Sequence, residues 1–94
     1  MTVNRLTPLG ANKTVLYSRT FQESLRVFYS YDTPVVIESI RDGQWFKTDT
    51  KHSVTTSKHI NSFIPKGTHT DKITTVPQAR LNSWQGHSWG RVTA

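Results

Sequence analysis

The chain has no cysteine. That removes disulfide staples, zinc ribbons and thiol redox chemistry from consideration. Acidic residues are scarce as well: six Asp and Glu stand against twelve Lys and Arg in 94 residues, a formal charge of +6 at neutral pH. Among so few carboxylates there is no closely spaced acidic pair, no Asp-Ser-His arrangement and no nucleophile elbow, so an enzyme is not expected. Long apolar runs are missing too. Nothing approaches the roughly 18 consecutive apolar residues of a membrane span, and the opening stretch MTVNRLTPLGANK lacks the apolar centre of a signal peptide. No membrane partner is expected, and the chain should work in a bacterial cytoplasm.

Hydrophobic residues make up only 34% of the chain, which is low for a domain of this size. The aromatics, three Trp, three Tyr and four Phe, offset part of that deficit because each buries a large area. A core this thin predicts irregular ends or a partner, a second copy of the chain included. The charge is unevenly spread. Residues 1–42 carry five basic and four acidic side chains, whereas 43–94 carry Lys47, Lys51, Lys58, Lys66, Lys72, Arg80 and Arg91 against Asp49 and Asp71. A cationic C-terminal half is suited to nucleic acid or to an acidic protein surface, although surface charge also serves solubility alone. No run of adjacent Lys or Arg occurs, so a disordered basic arm is not expected.

Periodicity organises the middle of the chain. Residues 1–12 hold Pro8, Gly10 and Asn12 with little repeat and read as an irregular lead-in. KTVLYSRTF, Lys13 to Phe21, is a short first strand, and Thr20 with Glu23 could open a brief helical turn. LRVFYSY alternates from Leu25 onward, as a strand does. TPVVIESI is a strong strand with Pro34 at its start, and Asp42-Gly43 is a two-residue hairpin signal, so 34–40 and 44–49 should pair antiparallel. Beyond them Ile60, Phe63 and Ile64 share a helical face, with Thr55 or Thr56 as N-cap and Pro65 and Gly67 as stop signals. HTDKITTV is a candidate strand. VPQARLNSW is a second short helix, with Thr75 as cap and Val76, Ala79 and Leu81 as candidate buried residues.

Three constellations could carry chemistry. The first is SVTTSKH, Ser53 to His59, where hydroxyls, Lys58 and a titratable His59 crowd a helix start. Free backbone N–H groups and the positive end of the helix dipole suit such a start to a phosphate or carboxylate. It has no P-loop glycines, and the alternative is that one hydroxyl caps the helix while the rest face water. The second is His52, His59, His69 and His87, whose spacings match no zinc motif, so neither metal nor cofactor is expected. The third is aromatic. Phe28, Tyr29, Tyr31, Trp45, Phe46 and Phe63 fall in proposed elements and serve a core, a dimer or base stacking. In the tail, Trp84 should close the core, while Trp89, between glycines and near Arg91, is a candidate interface anchor.

Ser30, Tyr31, Thr33 and Val35, followed by the run Thr55–His59, resemble a family of small tailed-phage proteins of unknown function. Those proteins show an SY-x-T-x-V strand and a T-T-S-K-H or T-T-S-R-H element. The resemblance covers about a third of the chain and implies a bacteriophage origin and a role in the host cytoplasm during infection. It implies no activity.

The sequence therefore predicts a single α+β domain over 1–94: a small antiparallel sheet on the 34–40/44–49 hairpin, with one or two short helices packed on it. Residues 85–94 are expected to form a flexible Trp-containing tail. The expected function is that of a non-enzymatic phage accessory protein, a host-takeover or anti-defence protein that binds and inhibits a bacterial protein. The alternative is a nucleic-acid or nucleotide-phosphate binder. A third reading is a minor structural or assembly component. The candidate binding residues are Thr55, Thr56, Ser57, Lys58 and His59, with Lys51 and Lys66 around them and Trp89 and Arg91 in the tail.

Overall fold

Strands follow one another in space as they do along the chain. The computed structural model describes residues 3–20, 23–87 and 89. Strands β1 (Val3–Gly10), β2 (Lys13–Arg19), β3 (Ser24–Ser30), β4 (Thr33–Ser39), β5 (Gln44–Thr48) and β6 (Ile73–Val76) form one six-stranded sheet in the order β1-β2-β3-β4-β5-β6. The first four pairs are antiparallel, and β6 runs parallel to β5. A parallel neighbour cannot be reached by a tight turn, and helix α1 (Val54–Phe63) occupies the crossover. Helix α2 (Gln78–Asn82) follows β6, and single 3-10 turns lie at Thr70–Lys72 and Trp84–Gly86.

Alternation along the strands builds a core on each side of the sheet. Leu25, Val27 and Ile37 point to one face, where they meet Val76, Leu81, Trp84 and Trp89, with Leu16, Tyr29 and Phe46 packed beside them. Phe28, Val36 and Trp45 point to the other, where Phe63 of α1 covers them with Ile60, Ile64 and Ile73. The rings of Phe28 and Phe63 lie 5.0 Å apart, and those of Phe28 and Trp45 lie 5.9 Å apart. Each large side chain buried in this way contributes about 1.5–3 kcal/mol. Helices of ten and five residues have little stability of their own, so these contacts are what hold α1 and α2 in place. A bulge at Phe28/Tyr29 lets the partner shift from Val36 to Pro34, and Val35 is fully buried there.

This architecture overturns the expected small antiparallel sheet. The sheet has six strands and is mixed, because β6 adds in parallel and because residues 3–10 are a strand rather than an irregular lead-in. Strand β1 escaped notice because its described side chains from Asn4 to Gly10 are all exposed, so selection for burial leaves no alternating pattern to read. Residues 33–39 and 44–48 do pair antiparallel, but the connection is the four residues 40–43, closed by the Gly43 N–H donating to Ser39 O at 2.9 Å. Gly43 has φ +66°, the left-handed conformation that glycine adopts without Cβ strain. Thr20 and Glu23 do not start a helix. The Thr20 N–H donates to Glu23 O at 2.8 Å and the Glu23 N–H to Thr20 Oγ1 at 3.1 Å, closing the β2–β3 connection.

The helix caps differ from expectation as well. Ser53, not Thr55 or Thr56, caps α1, accepting from the Thr56 N–H at 3.2 Å. Pro77 rather than Thr75 precedes α2, and no side chain caps it. Of the three residues proposed for burial there, Val76 and Leu81 are buried and Ala79 is exposed. Gln78 instead anchors the helix start, donating to Pro34 O at 2.8 Å while its Oε1 meets His52 Nε2 at 3.0 Å.

Candidate binding surface

Helix α1 is fastened to the sheet by hydroxyls. Ser30, near the end of β3, donates from Oγ to Thr56 Oγ1 at 3.1 Å, and Ser53 donates to the same oxygen at 3.3 Å. The Ser30 Oγ also lies 2.7 Å from His59 Nδ1. A hydroxyl has one proton, and whether Ser30 gives it to Thr56 or to His59 is tied to the tautomer of the His59 ring. The His59 ring stands 6.0 Å from Tyr31 and 6.3 Å from Phe63. Tyr31 has φ 56°, and its N–H donates to Asn12 O at 2.7 Å, which ties the β3–β4 turn to the β1–β2 turn. Ser30 and Tyr31 of one segment thus meet Thr56 and His59 of the other.

That geometry divides the proposed site. Thr56 is buried and His59 half-buried, and both point at β3. Thr55, Ser57 and Lys58 are exposed on the outer side of α1, and Lys51 and Lys66 are exposed in the loops before and after it. Trp89 is 0% exposed. Its Nε1 donates to Trp84 O at 2.9 Å, its ring meets Phe46 edge-on at 5.0 Å, and the Arg80 guanidinium lies 4.7 Å over it. Trp89 is packed into the core cluster of this face, and residues 88 and 90–94 of the expected tail lie outside the described residues. Arg91 lies outside the described residues.

Strand registers assemble a second group that the periodicity of single segments did not expose. Arg5 pairs with Tyr17, Tyr17 with Arg26, Arg26 with Glu38, and Glu38 with Trp45. Directly opposed residues share a face, so these five form one row across five strands on the α1 side of the sheet. Helix α1 lies over β3 and β4 and its core reaches Val15 of β2, while among the described residues no helix covers the Arg5–Tyr17–Arg19 part of that face. Arg5 and Arg26 are exposed and Tyr17 half-buried, with exposed Arg19 two residues further along β2 on the same face. Glu38 accepts from Arg26 at 2.7 Å. The alternation of KTVLYSR hints at Tyr17 and Arg19, but the row needs β1, which carries no pattern of its own.

A shallow pocket of about 200 Å³ opens on the opposite face, lined by Ser18, Thr20, Glu23, Leu25, Trp84 and His87 among others. Glu23 is engaged there, accepting from the Trp89 N–H. Among the described residues no helix is long and apolar enough to cross a membrane.

Fold and surface together define a small strand-rich protein, one mixed sheet covered on both faces at its centre and open along β1–β2. The chain belongs to a protein family of unknown function, DUF8033, whose sequence model matches residues 4–83. That span contains Ser30, Thr56 and His59 and the whole Arg5–Trp45 row, and it ends before Trp84 and Trp89. No curated protein and no solved structure matches the chain.

Proposed function

We propose that the chain is a non-enzymatic phage accessory protein that acts by binding nucleic acid. One observation carries this reading. Lys51, Lys58, Lys66 and Lys72 are all exposed, and none makes an ion pair among the described residues. Unneutralised cations held on a rigid surface attract a polyanion and release its counterions on contact. The phage origin and a place in the host cytoplasm rest on the likeness of Ser30–Val35 and Thr55–His59 to small tailed-phage proteins. With Trp89 buried, this reading places binding on the exposed lysines instead of the tail.

A second reading keeps that inhibitor role through a different surface. Leu6 is 65% and Leu9 43% exposed on β1, and among the described residues no strand pairs with the outer edge of β1. Such an edge accepts a strand from a partner. Fluorescence anisotropy with labelled DNA and RNA over a salt series separates the two readings. The nucleic-acid reading expects affinity that falls steeply as salt rises. Absence of binding at low salt would remove it and leave the β1 edge as the surface to pursue.

A further inference from the structure

We infer that the open part of the α1 face, Arg5, Tyr17, Arg19 and Arg26, is a platform for a single-stranded polynucleotide, with Tyr17 stacking on a base and the arginines holding phosphates. The inference rests on the nucleic-acid reading above and moves its site away from the start of α1.

The argument begins with the register. Arg5, Tyr17 and Arg26 are directly opposed on three adjacent strands. Neighbouring strands lie about 4.8 Å apart, so the two arginines flank the tyrosine at roughly 5 Å on either side at the backbone. Three guanidinium groups share this face with one carboxylate in the row, Glu38, which takes one oxygen to Arg26. Arg26 keeps further N–H donors, since a guanidinium has five. Arg5 and Arg19 make no ion pair among the described residues. The patch is therefore cationic.

Tyr17 supplies what a polyanion site alone would not need. Among the described residues its ring stacks on no other aromatic ring and lies under no guanidinium. An aromatic ring on an open sheet face between cations is the arrangement on which unpaired bases stack, and every base offers a π-face. A duplex hides those faces inside its own stack, so the platform selects single strands. Arg rather than Lys at all three positions adds planar groups that can hold phosphate by two parallel hydrogen bonds.

The test uses the full chain and fluorescein-labelled oligothymidine and oligouridine of about 12 nucleotides, within the usual footprint of one small domain, beside a DNA duplex of equal length. Tyr17→Ala should weaken single-strand binding by about tenfold, and Tyr17→Phe should retain it, because the ring and not the hydroxyl stacks. Arg5→Gln with Arg19→Gln should lower the slope of log affinity against log salt by about 1.4, or roughly 0.7 per lost contact to a single strand. Both arginines are exposed, so this pair carries the test if Tyr17→Ala does not fold. A preference of the parent chain for oligothymidine or oligouridine over the duplex supports the platform. Parent binding that none of these substitutions changes would overturn the platform while the nucleic-acid reading stands. Parent binding to neither single strands nor duplex at low salt would overturn both.

Discussion

The Oγ of Ser30 and Nδ1 of His59 lie 2.7 Å apart and join a strand end to the helix that crosses it. Thr56 Oγ1 closes the same network from below. Thr56→Val keeps the buried volume but removes the oxygen that accepts from Ser30 and Ser53, leaving the Ser30 hydroxyl to His59 alone. Loss of a buried hydrogen bond costs about 0.5–1.5 kcal/mol, which in a domain this small lowers the melting temperature by about 2–8 °C. Ser57→Ala, one residue along on the exposed side, should change stability by less than about 0.5 kcal/mol. Equal melting temperatures for the two variants would show that the network does not hold α1.

Gly43 stands at φ +66° with no atom near its missing Cβ. Substitution there meets backbone strain and no steric collision. Gly43→Val should therefore destabilise by roughly 1–2 kcal/mol, and urea unfolding would show it as a lower midpoint at an unchanged slope. A midpoint equal to that of the parent would place Gly43 outside the left-handed region.

Lys58 is the fifth residue of α1, just past a first turn that contains no acidic residue. A cation there opposes the helix dipole. Lys58→Glu should stabilise the fold by no more than about 0.3 kcal/mol at low ionic strength, because the dipole effect fades past the first turn, while weakening nucleic-acid binding by removing one positive charge and adding a negative one. Stability and affinity move in opposite directions. Loss of stability with unchanged affinity would make the exposed side of α1 irrelevant to binding.

Trp89 is enclosed by Trp84, Phe46 and Arg80. Truncation of a buried aromatic costs about 3–5 kcal/mol, so Trp89→Ala should unfold much more readily than the parent in a thermal scan. A surface anchor would leave the melting temperature unchanged.

The centre of the molecule was legible because burial writes itself into sequence there. Alternation from Leu25 marks β3, the apolar run after Pro34 marks β4, and Ile60 with Phe63 marks the buried side of α1. Three features left no such trace. Strand β1 buries neither face. The parallel β5–β6 pair depends on a crossover that no local pattern encodes. Trp89 sits between glycines in a segment without period, and only its tertiary neighbours make it core. The candidate site divides the same way. Thr55–His59 stood out by composition, yet the composition did not separate the inward Thr56 and His59 from the outward Thr55, Ser57 and Lys58. The Arg5–Tyr17–Arg26 row is a property of register, and register could not be read without β1.

Because strand order in space equals order along the chain from β1 to β5, most closures in this sheet are short, and only β6 returns across a long connection. Short closures cost little entropy and form early, whereas the long one adds its cost before its contacts repay it. The same order grades the molecule from edge to centre. Amides of β1, paired on one side and open on both faces, should exchange with solvent first through local fraying. Those of β3 and β4, enclosed between the two cores, should exchange only through global opening. The Arg5 end of the binding row thus sits on the most easily opened strand and Arg26 on one of the least, so a ligand that bridges them should slow exchange in β1 more than anywhere else.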